Sequence, residues 1–209
     1  LLTSVSSSSH MQSVLQSQYQ YLLIHSVLER LQRKKFREQE EKLLERMLTA
    51  GVPVAYGLKG DIIAGGYTDT EKSLSYYSDG MKYGDAHSFY RMGVIYREGQ
   101  LVNQDYVKSL EYLRKAMEME YADAFLLTAQ AYRYGYGVEQ DYSKYFSYLS
   151  MAVEAGSQDA LKELSDALMI GIGVERNIGK AVKVRSLYLS SKNDIWRGVL
   201  DMYGLTLTD

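Results

Sequence analysis

Apolar and small residues return along this chain at helical spacing. Between His87 and Arg97 the set Ser88, Met92, Gly93 and Tyr96 falls at i, i+4, i+5 and i+8, one side of a helix. The set comes back 36 residues later as Ala124, Thr128, Ala129 and Tyr132, and again as Ala160, Leu164, Ser165 and Leu168. A second helical set follows each first one: Leu110, Leu113 and Met117, matched by Phe146, Leu149 and Val153. Between the two sets lie Gly135-Tyr136-Gly137-Val138 and Gly171-Ile172-Gly173-Val174, whose glycines take the positive φ that ends a helix. Asp105, Asp141 and Asn177 stand where the second helix needs an N-cap. The pattern predicts helix–turn–helix units at about 50–85, 86–121, 122–157 and 158–192, with a capping helix at 193–205.

The first unit is the weakest. Asp69, Lys72, Ser73, Leu74 and Tyr76 match Asp105, Lys108, Ser109, Leu110 and Tyr112 at the same offset. Carried back without an insertion, that offset puts Gly57 in line with Gly93, Ala129 and Ser165. It also puts Gly60 at the Tyr96 position, and Ile63 and Gly66 at the turn positions. The recurring small residue implies helix backbones in close approach.

Residues 11–49 predict one long helix, or two with a bend near residue 33. Leu15, Tyr19, Leu22, Ser26, Leu28 and Leu31 recur at roughly helical spacing, and no glycine or proline interrupts them. The Arg30–Arg37 stretch reads as a solvated face, supported by the i,i+4 pairs Lys34–Glu38 and Arg37–Glu41. Leu43, Leu44, Met47 and Leu48 follow, and Gly51 suits a C-cap. The Ser-rich residues 1–10 read as a cloning remnant or a disordered tail. Met11 as the native start favours the cytoplasm; a removed signal favours the periplasm or an organelle.

The motif small-x-x-x-apolar-Gly-x-x-Tyr-x-x-Gly-x-Gly-Val-x-x-Asp-x-x-Lys-Ala resembles the Sel1-like repeat family, a relative of the tetratricopeptide repeats. The match is best over Ala124, Ala129, Tyr132, Gly135, Gly137, Val138, Asp141, Lys144, Ala152, Glu154 and Gly156. The resemblance covers about residues 50–205. It departs from the motif at Leu101, Leu168 and Asn177. It implies an all-α fold, a right-handed α-solenoid of about 36 residues per repeat. It also implies an adaptor or scaffold that binds a peptide or protein. Relatives that neutralise toxic bacterial effectors supply a second expectation, and oligomerisation through residues 12–49 a third.

Composition narrows the chemistry. Net charge is −2 over 209 residues, which argues against a nucleic-acid partner. There is no cysteine and there are three histidines, so thiolate chemistry is excluded and a multi-histidine metal site is not expected. The most apolar run, Tyr19 to Leu31, is too short and too polar to span a bilayer. The Gly135-Tyr136-Gly137 turn lacks the strand and third glycine of a dinucleotide loop. Asp159, Glu163 and Asp166 read as an ordinary solvated face, and His87 as a cap or surface residue. Trp196 reads as a plug at the end of the array. No catalytic, cofactor or metal residues are expected.

What remains is surface. In stacked helical hairpins the first helices line the concave side. Positions on those helices outside the repeat core are therefore candidates for partner binding: Tyr90, Arg91, Val94 and Arg97, then Leu126, Leu127, Gln130 and Arg133. The fourth unit contributes Lys162, Glu163, Asp166 and Met169. Tyr134 and Tyr136 add aromatics beside the arginines, the residue types enriched in interface hot spots. Tyr96, Tyr112, Tyr132 and Tyr148 are expected to pack between helices instead.

Overall fold

A computed structural model of the protein describes residues 37–65, 69–99 and 101–202, with side chains from 41 to 190. The readings of residues 1–36, of Gly66, of residues 203–205 and of the Trp196 side chain lie outside the described residues. All regular structure among the described residues is helical: α1 (Arg37–Thr49), α2 (Pro53–Gly65), α3 (Thr70–Lys82), α4 (Ala86–Glu98), α5 (Tyr106–Glu118), α6 (Ala122–Tyr134), α7 (Tyr142–Glu154), α8 (Gln158–Ile170) and α9 (Ile178–Met202). The chain divides into two compact units, Leu1–Ala124 and Phe125–Asp209.

Local chemistry fixes the helix boundaries. Asp69, Asp105 and Asp141 each accept the backbone N–H three residues on at 2.9 Å, and Asn177 does the same from Lys180. These are the N-caps that the repeat pattern required. Gly99, Gly135 and Gly171 end the first helices with φ of 70°, 75° and 90°. The connection then folds back, as the N–H groups of Asp105, Asp141 and Asn177 reach the carbonyls of Tyr96, Tyr132 and Leu168. A further device recurs without a sequence motif. The side chains of Gln104, Gln140 and Arg176 donate to the last-turn carbonyls of Arg97, Arg133 and Met169. One residue position thus satisfies an orphan carbonyl in three successive connections, with glutamine or arginine as the donor.

The first unit departs from the uniform 36-residue register. Seven residues separate α4 from α5 and α6 from α7, but only four separate α2 from α3. Gly60, not Gly57, therefore takes the place of Gly93. Ser73 donates to the Gly60 carbonyl (3.1 Å) as Ser109 donates to that of Gly93 (2.7 Å). A Cβ on Gly60 would strike the Tyr77 ring, as one on Gly93 would strike Leu113. The uninterrupted offset failed here because four matches in α3 carried the alignment across a shortened connection.

Three residues join each second helix to the next first helix, and the middle one takes positive φ: Gly51 (69°), Gly84 (78°), Glu120 (58°) and Gly156 (97°). Glu120 carries a side chain where its counterparts carry none. The left-handed region costs an L-residue about 1–2 kcal/mol. Glu120→Gly is expected to raise stability by about 0.5–1 kcal/mol, after the entropy that glycine returns to the unfolded chain. Urea unfolding of the two chains checks it; a less stable variant would show that the Glu120 side chain contributes contacts that outweigh the strain.

Each unit buries its own core. In the first, Leu44, Ala55 and Leu58 form one cluster and Tyr77, Met92 and Ile95 another. In the second, Ala129, Tyr145, Leu149, Ala152, Ala160, Leu164 and Leu168 pack together. Tyrosines expected to pack between helices do so as half-buried stacks: Tyr96 on Tyr112 at 5.5 Å, and Tyr132 on Tyr148 at 5.4 Å. Lys108 and Lys144 sit over the first ring of each stack, at 4.4 and 5.1 Å.

Candidate interaction surface

The first helices α4, α6 and α8 carry the candidate residues, and most of these already have partners. In the first unit, Asp61 on α2 is the hub. Its Oδ1 accepts from Tyr77 Oη (2.6 Å) and pairs with Arg91 Nε (2.6 Å). Its Oδ2 lies 2.6 Å from His87 Nε2. An ionised carboxylate only accepts, so His87 Nε2 carries a proton toward Asp61, and Nδ1 lies 2.9 Å from the Tyr121 hydroxyl. Burial pushes the Asp61 pKa up. The His87 hydrogen bond and the charges of His87 and Arg91 pull it down further, and the net value lies below the usual carboxylate range. Burial also raises the hydroxyl pKa values of Tyr77 and Tyr121, so both are proton donors at neutral pH.

Asp85 closes the cluster from the other side. It caps α4 by accepting from Ser88 N at 3.0 Å and from the Ser88 hydroxyl. Burial outweighs those bonds and raises its pKa. Gly57 faces Asp85 and His87, and a methyl there would collide with both. Its smallness serves this cluster rather than the repeat. His87, expected as a cap or surface residue, is a part-buried tie between α2 and the chain entering α6. Arg91, expected on an open groove, is held by Asp61 and Tyr77.

The second unit repeats the logic with other residues. Arg133 Nη1 on α6 pairs with Glu163 Oε1 on α8 at 3.1 Å and lies 3.4 Å from the Tyr145 hydroxyl. Gln130 donates to the other Glu163 oxygen at 3.3 Å. Burial raises the Tyr145 hydroxyl to about 12, so it stays protonated. Asp166 on α8 pairs with Arg185 on α9 at 3.2 Å. Glu163 and Asp166 are thus paired helix-joining groups rather than a merely solvated face. Leu126, expected at the surface, is 8% exposed and belongs to the core. It sits one residue round the helix from the accessible side, a distinction that spacing alone does not resolve.

Tyr134 is an exposed candidate, at 51%. Its ring lies 5.5 Å from that of Tyr136, and the Arg133 guanidinium stands 5.2 Å above it. In the first unit Tyr90 packs on Tyr121 with ring centroids 4.9 Å apart. Val94 and Arg97 are half-buried on the same helix. Asp61, Tyr77 and Tyr121 were not anticipated. Asp61 lies in the helix whose register the offset misplaced, and Tyr77 and Tyr121 have no recurring counterpart of their own kind.

The Sel1 repeat family matches residues 87–121, 122–157 and 158–183. The chain carries three Sel1 repeats. Solved Sel1 structures agree with the fold. A Sel1 repeat protein from Oxalobacter formigenes is 19% identical with a TM-score of 0.67, over 80% of this chain and 69% of that one. A protective antigen present in uropathogenic Escherichia coli strains, displaying the same repeat fold, is 22% identical with a TM-score of 0.64, over 78% of this chain. The match spans about a third of that antigen's length, 36%. No curated protein matches the chain. The fold is an all-α solenoid of helical repeats. Sel1 repeats are generally protein-interaction modules, and the family is typically non-catalytic scaffolding. No helix among the described residues is long and apolar enough to cross a membrane.

Proposed function

We propose that this chain is a non-enzymatic adaptor that binds a peptide or partner protein on the first helices of its Sel1 repeats. The presence of three Sel1 repeats carries the reading. The polar ties refine where binding falls. Arg91, Gln130 and Arg133 hold helices together, so changing them would confound binding with folding. Tyr134, with Tyr136 beside it and Arg133 behind it, has the aromatic and cationic character of a hot spot. On α4 the corresponding candidates are Tyr90, Val94 and Arg97.

A Tyr90→Ala/Arg97→Ala/Tyr134→Ala chain tests this in a pull-down beside the intact chain, with helicity matched by circular dichroism. Loss of hot-spot contacts is expected to weaken capture of the specific partner at least about tenfold, the effect of about 1.4 kcal/mol. Equal capture by both chains would remove these helices from the binding surface.

A further inference from the structure

The helix α9 exposes apolar side chains at places where the second helices before it are half-buried. The second helices α3 and α7 pack on the first helices that follow them, α4 and α8. In α7 the fifth and twelfth residues, Phe146 and Val153, are half-buried against the core that α8 shares. The α8–α9 connection also lies against Phe146, where a Cβ on Gly173 would touch it. Leu110 and Met117 hold the same places in α5 and are half-buried too. In α9 those places belong to Val182 and Leu189, which are 57% and 54% exposed, and the first residue, Ile178, is 52% exposed. At about 100° per residue these three fall within about 40° of one another round the helix. The stripe is thus the face on which a Sel1 repeat receives the first helix of the next.

The residues beside the stripe define the kind of helix that fits. Gly179, Ser186 and Ser190 come next round the axis, exposed and small, and they let a second helix approach closely. Lys180 and Lys183 lie beyond them, both exposed. Arg185 pairs with Asp166, whereas neither lysine pairs with a carboxylate among the described residues. No Asp or Glu occurs from Arg176 to Asn193, in a chain whose net charge is −2. One exposed side of α9 therefore runs from apolar through small to basic. We propose that α9 docks an amphipathic helix of a partner protein. That helix lays an apolar stripe on Ile178, Val182 and Leu189 and turns carboxylates toward Lys180 and Lys183. The apolar stripe supplies buried area, and the charges set orientation and partner choice. A narrow stripe edged by small residues suits a helix better than a lipid surface, which takes up a broad apolar face. The site is separate from the first-helix surface and rests only on the reading of this chain as a protein-interaction module.

The helix α8 supplies the probe, because it packs on α7 and carries Asp159, Glu163 and Asp166 beside an apolar stripe of Ala160, Leu164, Ala167 and Leu168. A fluorescein-labelled peptide of residues 158–170 is stapled between positions 158 and 162, since so short a helix is marginal in water. It is compared with its Asp159→Lys/Glu163→Lys/Asp166→Lys form. Both are titrated into the full chain at low salt and followed by anisotropy. The acidic peptide is expected to bind at least about tenfold tighter than the lysine form. Val182→Asp/Leu189→Asp in the full chain is expected to weaken it at least about tenfold, and Lys180→Glu/Lys183→Glu to reverse the preference. All four positions are exposed, and circular dichroism checks that the variants keep their helicity. The Tyr90→Ala/Arg97→Ala/Tyr134→Ala chain is expected to bind the peptide as the intact chain does, so failure of this site and failure of the first-helix surface are told apart. No binding of the acidic peptide, or equal binding of the two peptides, or equal binding by the Val182→Asp/Leu189→Asp chain, would overturn the proposal. Self-association, or capture by vesicles of phosphatidylserine and phosphatidylcholine, that the same variant abolishes would also overturn it, and would make a second copy or a lipid surface the occupant.

Discussion

Asp61→Ala is expected to lower the stability of the first unit by about 2–4 kcal/mol, somewhat less than the cost of breaking a fully buried ion pair from one side, because this pair is part-buried. Asp61, His87 and Arg91 have side chains 14%, 11% and 30% exposed, so water replaces the lost carboxylate poorly. The change would leave Arg91 without its counter-charge and remove the acceptor of both His87 Nε2 and Tyr77. Urea unfolding followed by circular dichroism measures it. A loss under about 1 kcal/mol would mean the cluster is solvated and contributes no more than a surface pair. The same carboxyl makes a pH prediction. Its native pKa lies below its unfolded value, so its contribution is present above about pH 4 and is lost as pH falls through the native value. Asp85 has the opposite sign: its raised pKa favours the protonated form in the folded state, a contribution lost as pH rises through it. The test is therefore the difference between the intact chain and Asp61→Asn. Stability of the intact chain should fall more steeply below pH 4, and equal slopes would refute the assignment.

Gly173→Ala is expected to cost about 3 kcal/mol, far more than Gly135→Ala in the preceding connection. Both glycines have positive φ, 72° and 75°, so both substitutions carry the left-handed penalty of about 1–2 kcal/mol. Only at Gly173 would the new methyl run into the backbone carbonyl of Tyr142, which α7 holds in place. A backbone atom within a helix cannot swing aside as a side-chain tip can, which adds about 1–3 kcal/mol of overpacking. At Gly135 the nearest atom, the Val138 carbonyl oxygen, would be 3.5 Å away, an ordinary contact. Thermal unfolding of the two single variants compares them directly. Equal losses would show that backbone conformation alone sets the requirement and that the close approach to α7 relaxes freely.

Sequence by itself determined most of the helices, their caps and the turns of the later repeats. It did not determine the connection between α2 and α3, or the unbroken run of α9 from Ile178 to Met202 through the start of the expected capping helix. The elements it did determine rest on short-range rules: an Asp accepts from an N–H three residues on, a glycine reverses the chain, and an apolar face repeats every 3.6 residues. Such rules leave a direct trace in residue order, which is why Asp105, Asp141 and Asn177 could be placed from their spacing alone. The repeat also placed Tyr96, Tyr112, Tyr132 and Tyr148 between helices, because each occurs twice at one register position.

Tertiary structure decided what each surface position does. Arg91 and Arg133 look alike in the sequence and both sit on first helices. Yet one is tied back to Asp61 on α2 and the other forward to Glu163 on α8. The partner lies about 30 residues away in either direction, and its identity differs from unit to unit, so no period announces it. Leu126 was separated from a groove position by a rotation that spacing cannot measure. The shortened connection between α2 and α3 hid Asp61 for the same reason: local pattern fixes a helix, while the neighbour that pairs with its polar residues is fixed only when helices pack.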